Sequence, residues 1–174
     1  YAPLTALAYF NNGLSVSGVS LVNNQVTFKS SKPSVAKIKN NILYAKDNGS
    51  YSLTVSLNSN PALSSTESYV MSGIKKPKTN ITSVKSKKKK QITVSWKNNI
   101  KNVTGYEIQY STSKKFTKKT TKTVTAKGKK AKSKTISKLK SKKTYYVRIR
   151  AYKNQSQGEK FYGKYSKTLK IKVK

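Results

Sequence analysis

The sequence predicts an all-β protein, and three observations carry that expectation. The stretch from Leu139 to Ala151, L-K-S-K-K-T-Y-Y-V-R-I-R-A, alternates apolar and polar residues at a period of two. Tyr145, Val147, Ile149 and Ala151 then face one way, and Tyr146, Arg148, Arg150 and Tyr152 the other. Short runs of the same kind recur roughly every eight to ten residues between turn-forming clusters, the spacing of a sandwich or a barrel. The charge changes abruptly at Lys75-Lys76-Pro77-Lys78: residues 1–76 carry seven Lys and two acids, a net +5, and residues 77–174 carry 29 Lys and two Arg against two acids, a net +29. A Pro at that break cannot continue a central strand, so the chain reads as one domain at 1–76 and a second at 77–174.

In the first domain the apolar residues up to Phe10 suit an edge strand. Asn11-Asn12-Gly13 suits a tight hairpin turn before Leu14 and Val16 resume the alternation. Val26 and Phe28 alternate with Gln25, Thr27 and Lys29, and Ser30-Ser31-Lys32-Pro33-Ser34 makes a turn ahead of Val35 and Ile38. Ile42 and Tyr44 form a short strand, Asp47-Asn48-Gly49 turns the chain, and Tyr51, Leu53, Val55 and Leu57 share one face of the next strand. The Ser- and Asn-rich residues 58–67, with Pro61, read as a loop, and 69–74 as a closing strand.

In the second domain Ile92, Val94 and Trp96 form one inward face and Tyr106, Ile108 and Tyr110 another. Val124 and Ile136 mark two further strands, and Leu169, Ile171 and Val173 alternate with Lys170, Lys172 and Lys174 in the last. Leu139, six residues before Tyr145, anchors a turn. A Tyr so placed can return its hydroxyl to the upstream backbone, as at the corner of Greek-key sandwiches.

The run V-T-F-K-S-S-K-P-S-V-A-K-I, Val26 to Ile38, resembles the bacterial immunoglobulin-like domain of group 2 found in intimin-type adhesins and many surface proteins. Phe28 stands where that family has Trp, Asn41 where it has a Gly before the short strand, and Gly49 to Val55 match its G-x-x-x-I-x-V strand. Residues 77–174 resemble the fibronectin type III family. Trp96 sits where that family keeps a buried Trp, G-Y-E-I-Q-Y-S at 105–111 is a phrase typical of its third strand, and Leu139, Tyr145 and V-R-I-R-A follow its order of Leu, short turn, Tyr and V-x-V-x-A. Ser141 replaces its usual Pro after the Leu. Together the resemblances imply two tandem immunoglobulin-like antiparallel β-sandwiches, with Phe28, Trp96, Tyr106, Leu139 and Tyr145 as packing residues.

Composition removes most chemistry. Cys and His are absent and the acids are Asp47, Glu67, Glu107 and Glu159, which excludes disulfides and thiolate nucleophiles and leaves few general bases or metal ligands. No catalytic residue, cofactor or metal site is expected. No run approaches the about 20 apolar residues of a membrane helix, so membrane insertion is not expected either.

The lysine runs at 87–90, 114–119, 127–134 and 138–143 fall mainly in turns. They serve either as a solvated surface or as an electrostatic trap for a polyanion, acting as point charges through counterion release. Two Arg are too few for sequence-specific nucleic-acid readout, which favours bidentate guanidinium contacts. The second resemblance implies a sheet in which Arg148 and Arg150 project beside Glu107, Gln109, Lys170 and Lys172. A cross-strand pair of Glu107 with an Arg there is worth about 0.2–1 kcal/mol. Tyr146 and Tyr152 on the same face suit a sugar ring, and Phe161 and Tyr162, after the turn Gln157-Gly158-Glu159, suit exposed contacts. Tyr165, in G-K-Y-S, is expected to pack. The candidate ligand contacts are therefore Tyr146, Arg148, Arg150, Tyr152, Phe161, Tyr162, Lys170 and Lys172.

The resemblances imply a non-catalytic spacer and adhesion segment, extracellular at the cell surface or secreted, in series with other domains of a larger bacterial chain. The basic second domain is expected to contact an anionic wall polymer or an acidic glycan. The lack of Cys accords with a Gram-positive surface protein. The alternative is an accessory carbohydrate- or wall-binding region of a secreted polysaccharide or cell-wall hydrolase whose catalytic domain lies outside this sequence.

Overall fold

Antiparallel strands build the chain, as the alternation expects. The computed structural model describes residues 2–4, 6–11, 16–21, 24–97, 100 and 102–174. Contacts within the chain divide it into two units, 1–75 and 76–174.

The first unit contains β1 (Ala2–Pro3), β2 (Ala6–Asn11), β3 (Val16–Leu21), β4 (Val26–Ser30), β5 (Ala36–Lys39), β6 (Ile42–Ala45), β7 (Gly49–Leu57) and β8 (Ser64–Met71). They form sheets in the orders β1-β6-β5 and β4-β7-β8, with β2 and β3 as a separate antiparallel pair. The turn expected between β2 and β3, and Leu14 after it, lie outside the described residues. Along β4 burial follows residue type, with Val26, Phe28 and Ser30 inside and Thr27 and Lys29 outside. Val35, Ala36 and Tyr51 centre a core that Leu43, Leu53 and Met71 complete, so β5 and β6 share it with β7 and β8. Asn40 and Asn41 both take positive φ, 50° and 54°, between the paired Lys39 and Ile42. A two-residue hairpin turn of that hand favours Gly or Asn, which is why Asn41 can stand in the glycine position.

The closing strand differs from the sequence reading. It starts at Ser64, inside the expected loop, and ends at Met71, short of Ile74. Its residues from Ser64 to Val70 are all exposed, so no apolar alternation marks them. Pairing comes from the neighbour: Thr54 and Thr66 hydroxyls meet at 2.8 Å and those of Ser52 and Ser68 at 3.3 Å across the β7–β8 ladder. Beyond Met71 the Asn48 side chain takes over the backbone of Ile74, accepting from its N–H at 2.8 Å and donating to its carbonyl at 3.0 Å.

The second unit contains β9 (Ile81–Lys85), β10 (Ile92–Trp96), β11 (Gly105–Ser111), β12 (Thr121–Lys127), β13 (Ser133–Ile136), β14 (Thr144–Asn154), β15 (Lys160–Tyr162) and β16 (Leu169–Lys172), with a 3-10 turn at Ser156–Gly158. One sheet runs β13-β10-β9. The other runs β12-β11-β14, and β14 then pairs with β15 through its last residues and with β16 through its first. The expected inward faces meet in one core: Ile92, Val94 and Trp96 from β10, Tyr106, Ile108 and Tyr110 from β11, and Tyr145, Val147, Ile149 and Ala151 from β14. Trp96 stacks obliquely on Tyr106 at 5.2 Å. Leu139 is buried in the same core, and the Tyr145 hydroxyl accepts from the Lys140 N–H at 3.3 Å, the corner contact expected from their spacing. Ser141, in the position of the usual Pro, instead donates its hydroxyl to the Lys174 carbonyl at 2.9 Å.

Candidate functional site

Because β14 is a regular strand, the residues between its buried positions emerge together on the outer face of the sheet, and β11 answers them in register: Glu107 opposite Arg150, Gln109 opposite Arg148. Each guanidinium is held edge-on by its partner. Arg148 donates through Nε at 3.0 Å and Nη2 at 2.7 Å to Gln109 Oε1. Arg150 donates to Glu107 Oε1 through Nε at 2.8 Å and lies in an ion pair with it through Nη2 at 2.7 Å. Glu107 is itself buried, so this pair is sheltered from solvent, and the carboxylate also accepts the Tyr165 hydroxyl at 3.1 Å.

The faces of the same two guanidiniums are covered by rings. Arg148 lies between Phe116 at 4.1 Å and Tyr165 at 4.0 Å, and Arg150 lies between Tyr165 at 4.5 Å and Tyr162 at 3.6 Å. Tyr162 then meets Tyr152 at 6.3 Å, and the Lys160 ammonium sits 4.6 Å from the Tyr152 ring. The result is a ladder in which rings and guanidiniums alternate from Phe116 to Tyr162, with Tyr152 and Lys160 continuing it. Each cation over a ring face contributes about 0.5–2 kcal/mol depending on its desolvation. Burial pushes the Tyr165 hydroxyl up to about 12, with the Arg150 charge opposing the shift and Glu107 adding to it. Burial also raises Tyr162, and Glu107 adds to that shift.

Tyr165 reaches the outer face because the chain leaves the ladder between β15 and β16. Over this gap Gly163 N–H bonds the Ala151 carbonyl at 2.9 Å and Ser166 N–H the Ile149 carbonyl at 2.8 Å, while the Ser166 hydroxyl accepts from Ile149 N–H at 3.1 Å. The expectation that Tyr165 packs agrees with its place between two guanidiniums. Phe116, in the loop before β12, joins the ladder with no periodic signal to announce it.

Among the candidate ligand contacts the structure brings Arg148, Arg150 and Tyr162 together, but as partners of one another. Tyr152 is buried at 4% exposure, with Tyr162 and Lys160 against its ring, which corrects the expectation of a face open to sugar. Phe161 pairs opposite Lys153 and so projects to the opposite side of the sheet from Tyr162, apart from the ladder. Tyr146 is half-buried with Lys170 opposite it, and Lys172 lies opposite Thr144; both lysines are exposed. Phe28, Trp96, Tyr106, Leu139 and Tyr145 are all buried. Among the described residues no group of three or more His, Cys, Asp or Glu comes together to hold a metal ion. No helix among them is long and apolar enough to cross a membrane.

Comparison with known proteins gives one family and a set of remote structural likenesses. The sequence model of the fibronectin type III domain matches residues 75–163. No curated protein matches the chain. Among solved structures, the crystal structure of chicken CNTN1 FN1-FN3 domains is 19% identical with a TM-score of 0.49, covering 97% of this chain and 53% of that one, so the chain spans about half its length. The fn3 domain of human contactin 1 is 19% identical with a TM-score of 0.47, covering 61% of this chain and 86% of that one. The fn3 domain of human collagen alpha-1(XX) is 17% identical with a TM-score of 0.42, covering 54% and 80%.

Proposed function

The chain belongs to the fibronectin type III family, and from that premise we propose that it is a non-catalytic, extracellular spacer and adhesion segment of a bacterial surface protein. In this reading its basic second unit holds anionic wall polymers or acidic glycans. The observation that supports it most is how charge is divided in that unit. Glu107 and both arginines are engaged with each other, Gln109 and the aromatic rings, while lysines such as Lys170 and Lys172 stand exposed on the same sheet. The charge offered to a partner is therefore ammonium, which attracts any dense polyanion and discriminates little among them. Glu107 is not a free general base, since its carboxylate already accepts from Arg150 and Tyr165.

The test is retention of the intact chain on an immobilised anionic polymer at stepped salt. Counterion release makes log affinity fall linearly with log salt. Retention that ignores salt, or that survives wholesale Lys→Gln exchange over residues 77–174, overturns the reading and leaves the lysines as a solvating surface.

A further inference from the structure

Five lysines of the second unit, Lys119, Lys122, Lys138, Lys140 and Lys143, rim a single cavity of about 480 Å³. Tyr110, Leu139 and Tyr145 floor it, and no acidic side chain lines it. Its volume falls within the about 300–1,000 Å³ of ordinary ligand sites. It opens where β12 ends one sheet and β13 ends the other, between the loop that enters β12 and the corner that enters β14.

We infer that this cavity is a site for a glycan segment carrying sulfate or phosphate esters. The inference rests on the polyanion reading above and gives it a location. Five lysines lining one concavity bring like charges together with no acid among them, and an anion seated there relieves their repulsion. Both walls are pinned, so the lysines start from fixed backbone positions and less freedom is lost on binding. On one wall Leu139 N–H bonds the Lys90 carbonyl at 2.9 Å, Lys142 N–H bonds the Val173 carbonyl at 2.8 Å, and Val173 N–H bonds the Lys143 carbonyl at 3.0 Å. On the other, the Thr120 hydroxyl is 2.8 Å from both the Ser111 and Thr117 hydroxyls. Lys138, which also lines the cavity, holds φ at 61°, a backbone conformation easier for Gly or Asn. Thr112 and Ser137 also line it, and hydroxyls of that kind suit sugar oxygens. A nucleic acid fits less well, because Tyr110 and Tyr145 are each 8% exposed and pack against each other at 6.2 Å, leaving no ring face for a base.

The intact chain is titrated at low salt with three probes of matched charge: a sulfated oligosaccharide, a phosphorylated oligosaccharide and a single-stranded DNA. Two variants lose the same charge: Lys122→Gln/Lys140→Gln/Lys143→Gln at the cavity and Lys127→Gln/Lys129→Gln/Lys134→Gln away from it. The cavity variant is expected to bind the glycan probe, sulfated or phosphorylated, about tenfold more weakly than the control variant, about 1.4 kcal/mol. Amide shifts should concentrate at Thr112, Thr120 and 137–143, and the probe that loses more affinity in the cavity variant tells sulfate from phosphate. Equal losses in the two variants overturn the site but leave the diffuse electrostatic reading standing. No binding of any probe by the parent chain overturns both. DNA that shows the same tenfold dependence on the cavity lysines overturns the glycan assignment.

Discussion

Trp96 and Tyr165 show two ways a single ring can stabilise this sandwich. Trp96 is 3% exposed against Tyr106, and its indole N–H has no hydrogen-bond partner among the described residues, so its contribution is packing. Trp96→Ala is expected to cost about 3–5 kcal/mol, comparable to the whole stability of a small domain. Urea unfolding should show the second unit lost and the first retained, and Trp96→Phe should cost less because no hydrogen bond goes with the indole. Tyr165 acts through its hydroxyl as well as its ring. Its folded-state value of about 12 lies above the ordinary 10.0, so the folded protein holds that proton more tightly than the unfolded chain. The associated stability is complete below pH 10 and is lost as pH rises towards about 12. Tyr165→Phe should make the fall in stability across that window shallower than in the parent, measured by denaturant titration at each pH. An unchanged slope would show that burial, with Glu107 beside it, does not hold the Tyr165 proton in the folded state.

At the level of elements, the departure of the chain from the ladder between β15 and β16 positions the aromatic-guanidinium ladder. A Cβ on Gly163 would lie 2.3 Å from the Pro77 carbonyl oxygen, a backbone atom that cannot swing aside, and Lys164 N–H bonds that same oxygen at 3.0 Å. Gly163→Ala should therefore displace the segment at Pro77 and the bridge between Lys78 and Lys164, at a cost of about 1–3 kcal/mol. The check is loss of amide protection at Lys164 together with a lowered unfolding midpoint. If protection is retained, the close approach is looser than described. The strand β8 shows the opposite case, an element with no buried alternation that forms because β7 offers it a ladder and matching hydroxyls. Strand pairing of this kind belongs to the neighbour as much as to the sequence.

For the whole molecule, a net +34 with most of it after residue 76 means that the second unit folds against its own repulsion. Raising salt shortens the Debye length from about 30 Å at 0.01 M to about 8 Å at 0.15 M, which screens exposed lysines far more than the Glu107–Arg150 pair. The Tm of the second unit should rise with salt over this range, and that of the first should move much less. A fall in the second unit's Tm would mean that attractive pairs outweigh repulsion there.

Residue order by itself determined the inside and outside of the regular strands. Period-two alternation needs only local information, so Val26 and Phe28, Ile92, Val94 and Trp96, and Tyr145, Val147, Ile149 and Ala151 are legible as core from residue order alone. The corner formed by Leu139 and Tyr145 was legible for the same reason, since both ends lie within one turn. Only the tertiary structure decided what met across long separations. Tyr165 reaches Glu107 from 58 residues away, and Phe116 reaches Arg148 from an irregular loop, so neither contact leaves a periodic trace. The burial of Tyr152, the polar strand β8 and the convergence of Lys119 with Lys143 likewise depend on register and on where loops return. Those are properties of pairs of distant segments, and the free energy that selects them is shared between the partners instead of residing in either stretch of sequence.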